Sequence, residues 1–446
     1  MQAQSVYIHK KYLYHRCLGL IFDFCRSRYN FFAVSGLLIY RVMLDFVYCN
    51  LISRFYSMFT CESKVFNITL SWIITILMII PIIKLYRQNQ VSSIIVLCFN
   101  MAYFLPMQTL YSFSGLDSRF YFSAMLYWAI LMVWQLSLPI IIMRPFNINI
   151  GKIYATLAVC ASLFIIIIFV RYTDCNLILD INEIYKWRTA FLGKHINYFI
   201  LYPLACMPSV LSILALYYLN NRLYIVSLLL FGIVYVHFSI SGQRTTFFLI
   251  FFCLIFYFIY KEYMISWFPW FLSALGVFTL FFEYELIGSR PIFQLFFRRI
   301  IFLTIKVSEM YFDYFTHHHI DLMRYKVLQH IGILSPYTSK VPTMIGWLYF
   351  NRNINANNGM VGDAFFAFGY FGMLIMPIII ILCLRIFDFC ANSIDKRVLI
   401  SFCIYYSVFF INVNWIAASI IHGYLVACLI FIFWPCGISR QEMNAK

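Results

Sequence analysis

One acid, Asp363, stands inside a glycine-rich run, N-N-G-M-V-G-D-A-F-F-A-F-G-Y-F-G (357–372), where a long hydrophilic loop gives way to an apolar stretch. A carboxylate just inside a bilayer edge is costly, and glycines at 359, 362, 369 and 372 thin a helix. The run therefore marks a close-packed site rather than lipid-facing filler. Desolvation there suits a carboxylate to general-base work near neutral pH, whereas a neighbouring arginine would hold it in a structural ion pair; both readings stay open. Asn357 and Asn358 either touch a substrate or cap the incoming helix, since Asn is a favoured N-cap.

Arginines near the outer ends of apolar stretches form the second group. Arg244 sits in S-G-Q-R-T-T, Arg290 follows Gly288-Ser289, Arg298 and Arg299 come eight residues on, and Arg188 lies in Y-K-W-R-T-A-F. Guanidinium is permanently charged and bidentate toward phosphate oxygens, so arginines converging at a membrane surface suit a lipid pyrophosphate. Snorkelling to the interface is the bland alternative for any one of them. Arg244 and Arg290 are favoured because their Gly/Ser contexts let backbone and substrate approach.

His317, His318 and His319 look like a metal tract, but adjacent histidines on a helix point in different directions. Only Asp313 and Asp321 lie near them, and no metal is expected. One of the three, His317 foremost, is a candidate sugar contact, with Tyr314 and Trp347 as stacking surfaces in the same loop; loop packing explains the aromatics equally well. Arg41 and Asp45 are spaced to neutralise each other within one helix turn. Glu283 and Glu285 are placed to position the basic loop that follows, and His422 reads as a packed polar residue.

The elements that must position these groups are membrane helices. Of 446 residues, 63% are hydrophobic and 11% charged, against roughly 45–50% and about 25% in soluble domains. The expected fold class is an all-α polytopic integral membrane protein of about 12 transmembrane helices with two large outer loops. Segments of about 20 apolar residues fall near 31–52, 67–85, 92–112, 120–143, 153–170, 197–219, 223–241, 246–260, 267–283, 363–387, 398–413 and 415–435.

The organisation that follows is a cytoplasmic segment 1–30 and helices one to five over 31–170. A loop at 171–196, helices six to nine over 197–283 and a large loop at 284–362 come next, then helices ten to twelve over 363–435 and a tail at 436–446. Residues 1–30 are basic and interrupted, so they read as cytoplasmic rather than as a cleavable leader, with the first span as anchor. Lys and Arg outside the long loop favour the same orientation. Within that loop, 296–315 reads as an amphipathic helix. Fourteen cysteines are scattered, mostly in apolar runs; Cys61 and Cys175 fall in outer loops and are a possible pair. No internal repeat is visible, which mildly disfavours a repeat-built transporter.

The pattern N-x-G-x-x-G-D-A-x-x-x-F-G-Y-x-G, the S-G-Q-R turn and the two outer loops resemble O-antigen polymerases of the Wzy type. The resemblance implies an enzyme of the bacterial inner membrane with its active site facing the periplasm. Its substrate would be undecaprenyl-pyrophosphate-linked glycan, and it would need no cofactor, metal or nucleic acid. The glycan would pass from one carrier to the terminal sugar of another lipid-linked repeat, with Arg188, Arg244, Arg290, Arg298 and Arg299 on the pyrophosphate.

Partners would be membrane lipids and a chain-length regulator of the polysaccharide co-polymerase type. The related lipid A-core ligases use a histidine where this chain has Asn358 and Asp363. Asp363 is the best local substitute base and the His317–His319 tract a distant second, with Asn358 and Arg290 as the other catalytic candidates. A lipid-linked oligosaccharide flippase and an O-antigen ligase-like glycosyltransferase are the competing expectations.

Overall fold

The computed structural model describes residues 30–88, 90–139, 150–173, 175–178, 184–194, 196–287, 293–325, 332–337 and 339–434. Every regular element among them is helical, and nine helices are long and apolar enough to cross a membrane. They are Asn30–Phe55, Val65–Gln88, Val91–Phe113, Ser118–Ser137, Gly151–Thr173, Tyr198–Asn220, Tyr224–Ser241, Met264–Glu283 and Met360–Ala391. Val65–Gln88 and Gly151–Thr173 leave Ile73, Ile76, Leu77, Ile80, Leu163, Ile166, Ile167 and Val170 exposed. A surface this apolar is stable only against lipid, because in the bilayer a helix already satisfies its own backbone bonds. The chain is a membrane-embedded, all-α polytopic protein.

The remaining apolar stretches are helical but shorter. Arg244–Ile259 and Lys396–Asn412 are single helices, and the last stretch is broken into Ala417–Ile421 and Tyr424–Ile432 around the left-handed Gly423 (φ +80°). The amphipathic run is helical through Gln294–Phe302 and Leu303–His317.

Contacts divide the chain into two units. The first comprises residues to 88, 105–115 and 262–298. Its interior holds a buried charge, Arg41, paired with Asp45 one turn along the same helix. The guanidinium also donates to Thr109 at 2.7 Å, Ser71 at 3.2 Å and Ser112 at 3.1 Å. A buried ion needs such company, since leaving it unpaired costs several kcal/mol. The spacing-based expectation of mutual neutralisation is met, and three hydroxyls from two other helical segments share the load.

The second unit comprises 89–104, 116–261 and 299–446. Met360–Ala391 packs there against Ser118–Ser137, Leu303–His317, Val91–Phe99 and Tyr424–Ile432. A polar lock joins three of these. Asp388 accepts from the Ser92 amide at 2.8 Å and the Ser92 hydroxyl at 2.5 Å, while Arg385 pairs with Asp388 at 2.9 Å. Gln135 donates to Ser92 at 2.7 Å, and Arg385 donates to the Gln135 carbonyl at 2.5 Å. Arg385 is thus a largely buried hydrogen-bonding residue.

The Met360–Ala391 helix is broken near its start. Phe368 and Gly369 leave helical geometry, and Gly369 (φ +60°, ψ −140°) occupies a region open essentially to glycine. The break frees the carbonyls of Phe366 and Ala367, which must then find other donors. They accept from the amides of Asp321 at 3.0 Å and Leu322 at 2.9 Å, so the loop after His317 is stitched onto the kink.

Candidate functional site

The glycine-rich run works as close packing predicts. A Cβ at Gly359 would collide with the Ile411 carbonyl, and one at Gly362 would lie 3.0 Å from the Ser308 Cα. These glycines let the start of the helix sit directly on Lys396–Asn412 and Leu303–His317. The helix cap is Gly359, which has no side chain to bond with, so neither asparagine occupies the cap position.

The asparagines instead face a cavity. The chain leaving Val341–Phe350 turns back through the left-handed Asn351 (φ +52°). It is then held by Ala356, whose amide donates to the Pro342 carbonyl at 2.9 Å and whose carbonyl accepts from the Tyr311 hydroxyl at 2.9 Å. Just beyond, Asn357 and Asn358 line a cavity of about 220 Å³ together with Tyr311, Tyr325, Phe366 and Asn414. Asn358 is 4% exposed, and its Nδ2 has no hydrogen-bond partner among the described residues. A buried donor left this way favours any ligand that supplies an acceptor. Asp363 follows on the first turn of the helix, fully buried.

A second cavity, about 640 Å³ and almost wholly apolar, is lined by Met323, Ile379, Leu382, Ile386, Trp415 and Ile420. The two share chain segments. Asn414 and Ala417 border the smaller cavity while Trp415 and Ile416 border the larger apolar one, and Tyr325 and Met323 divide in the same way. The Trp415 indole N–H is a second buried donor without a partner among the described residues. The site is thus a small pocket in which three amides and two phenols interrupt an apolar wall that includes Val341, Pro342, Phe366 and Val413, beside an almost wholly apolar groove.

One candidate arginine packs against the turn that precedes another. Gly242 ends Tyr224–Ser241 in a left-handed turn (φ +59°), and a Cβ there would lie 3.1 Å from the Arg188 Cβ. Arg244 begins the next helix immediately after this turn. The Ile184–Leu192 helix of the first large loop is thereby seated on the S-G-Q-R turn, anchored by Ile178, Ile184 and Phe238 packed with Trp187, Tyr235 and Phe247. Arg188 and Arg244 thus flank the same Gly242 turn.

The other candidates are placed differently. Arg298 lays its guanidinium 4.1 Å above the Tyr56 ring, within the first unit. Arg299 is exposed on the Gln294–Phe302 helix of π type, and Arg290 lies outside the described residues. His317 and His318 direct Nδ1 to the carbonyls of Asp313 at 3.0 Å and Tyr314 at 2.8 Å. His318 also stacks on Tyr314 with ring centroids 3.9 Å apart, so one face of Tyr314 is already covered. Trp347 remains exposed on Val341–Phe350.

Burial, followed by the nearby Tyr314 and Asp321, pushes the Tyr337 hydroxyl up to about 12. It stays protonated at neutral pH and donates to the His319 carbonyl. Asp321, considered from sequence only as a weak metal neighbour, is an organising residue. Its carboxylate accepts from the Tyr325 amide and the Ser335 hydroxyl, each at 2.8 Å.

Sequence reasoning missed Tyr325, Asn414 and Trp415. The signal was present in N-V-N-W (412–415), a polar interruption between two apolar stretches, where Asn414 Oδ1 accepts from the Ala417 amide at 2.8 Å and starts the next helical segment. Comparison with protein-family models, curated proteins and solved structures finds no match. Assignment of function therefore rests on the residues and their geometry.

Proposed function

We propose that this chain polymerises undecaprenyl-pyrophosphate-linked oligosaccharide repeats into O-antigen or a related surface polysaccharide, as a Wzy-type enzyme. In this reading it is a protein of the bacterial inner membrane with about twelve spans, both termini inside and its reactive face toward the periplasm. The observation that carries the reading is the cavity into which Asn357, Asn358, Asn414, Tyr311 and Tyr325 bring amide and phenol groups, with the same chain segments bordering an apolar groove. Amide and phenol groups match sugar hydroxyls. At about 220 Å³ the cavity is smaller than the roughly 300–1,000 Å³ of drug-sized sites, which suits one sugar ring rather than a chain. The groove suits an isoprenoid tail.

The chemistry follows from charge development. The acceptor hydroxyl oxygen bonds to the anomeric carbon as the carbon–oxygen bond to pyrophosphate breaks, and the hydroxyl proton passes to a base. The candidate is Asp363, buried one turn beyond Asn358 and not itself among the residues lining the cavity. Attack from the side opposite the leaving group inverts the anomeric centre. Negative charge grows on the departing pyrophosphate, and Arg188 and Arg244, which flank the Gly242 turn, would supply donors for it. Arg290, which lies outside the described residues, is a further candidate from the sequence. Glycan contacts from His317, Tyr314 and Trp347 extend the binding surface beyond the single-ring cavity.

The test is a glycan ladder from cells lacking the gene, compared with wild type and with an Arg244→Ala complement. Loss of the ladder while a single repeat still reaches lipid A-core supports polymerisation. Loss of even the single repeat, with lipid-linked units trapped inside, would make the protein a flippase. A ladder of polymerised glycan retained on the carrier, with none on core, would instead identify a ligase.

A further inference from the structure

Outside this site, two thiols face each other. Cys61, exposed in the loop after the first long helix, has its Sγ 3.4 Å from the Sγ of Cys49 on the last turns of that helix. The approach is imposed by the residues on either side. The Tyr48 hydroxyl donates to the Thr60 carbonyl at 2.6 Å, and the Phe59 ring sits edge-on to Tyr48 with centroids 6.2 Å apart. Thr60 Oγ1 donates to the Ser114 carbonyl at 3.3 Å, and the Glu62 amide donates to the Phe113 carbonyl at 2.7 Å. Both chain neighbours of Cys61 are therefore fixed, and so is the neighbour of Cys49. Sequence suggested Cys175 as a partner for Cys61; the geometry supplies Cys49.

We propose that Cys49 and Cys61 form a disulfide that pins the loop following the first span. Closing it asks the sulfurs to approach by roughly 1.4 Å, within reach of a side-chain rotation. The step needs a disulfide-bearing oxidant of the kind found on the oxidising side of a membrane. Each cysteine gives up its thiol proton, one S–S bond forms, and the oxidant's disulfide accepts two electrons and two protons to become two thiols. The inference rests on the outward placement of residues 53–66. The pinned loop carries Tyr56, whose ring supports Arg298, so oxidation would also steady that guanidinium.

Trypsin separates the two cysteines, because Arg41, Arg54 and Lys64 flank peptides 42–54 and 55–64. Membranes are quenched with an alkylating reagent, then the protein is digested without reductant. The expected result is a linked 42–54/55–64 pair that comes apart on reduction and is absent from the Cys49→Ser variant. In that variant, Cys61 should react with a membrane-impermeant maleimide on intact cells. Two separately alkylated peptides together with outward labelling would overturn the disulfide and leave the functional reading intact. Labelling only from the cytoplasmic side would overturn the disulfide and the sidedness behind the functional reading together.

Discussion

In the proposed reaction Asp363 and Asn358 are the residues on which the chemistry would turn, and their roles are separable. Asp363→Asn removes the proton acceptor while keeping the shape of a fully buried side chain. Polymer formation should fall by about two orders of magnitude or more with the protein still present in the membrane; unaltered polymer would remove Asp363 from the mechanism. Asn358→Ala deletes a buried donor that has no partner among the described residues. Its loss should leave thermal stability nearly unchanged and weaken use of the acceptor, read as a shortened ladder. Arg188→Ala and Arg244→Ala should each lower the rate by about 10²–10³-fold if both hold the leaving group. If the two side chains act as a unit on the leaving group, the double variant should do little worse than either single one. Initial rates on purified lipid-linked repeats measure this directly.

The start of the Met360–Ala391 helix shows how glycines serve an element and not only a site. Gly359 lies against the Ile411 carbonyl and Gly369 takes a φ of +60°. Gly359→Ala should cost about 1–3 kcal/mol by overpacking, and Gly369→Ala about 1–3 kcal/mol by backbone strain. The two should differ in kind, which a thermal melt in detergent set beside cavity-directed sugar binding would reveal. Gly359→Ala pushes the helix off its neighbour, whereas Gly369→Ala disturbs the Phe366 and Ala367 carbonyls that hold the Asp321 loop. At the other end of the same helix, Asp388→Ala leaves the guanidinium of Arg385 buried without its carboxylate. A loss of about 3–5 kcal/mol in stability is expected, and a melt indistinguishable from wild type would show the lock to be dispensable.

Over the whole chain, the functional reading fixes a sidedness. A phosphatase reporter that is active only outside should work when fused within 171–196 or 284–362 and fail when fused near Asn392. The reverse pattern would put the Asn358 cavity, Arg188 and Arg244 on the cytoplasmic face and exclude periplasmic polymerisation. The charge pattern alone gives a modest preference, because half of the outer Lys and Arg fall in the one long loop, where length weakens their influence on insertion.

Membrane embedding and helical class were legible in the sequence because apolar length and scarce charge leave no other way to satisfy the backbone in lipid. The Arg41–Asp45 pair and the close-packing role of Gly359 and Gly362 were legible for a similar reason, since helical spacing and a missing Cβ act locally. The meeting of Arg188 with the Gly242 turn was not, nor was the pairing of Cys61 with Cys49. The joining of Asn358, Tyr325 and Asn414 around one cavity was also out of reach. Those depend on which helices pack together, and in a bilayer that choice is made by shape and a few buried polar contacts rather than by a hydrophobic stripe that could be read along the chain.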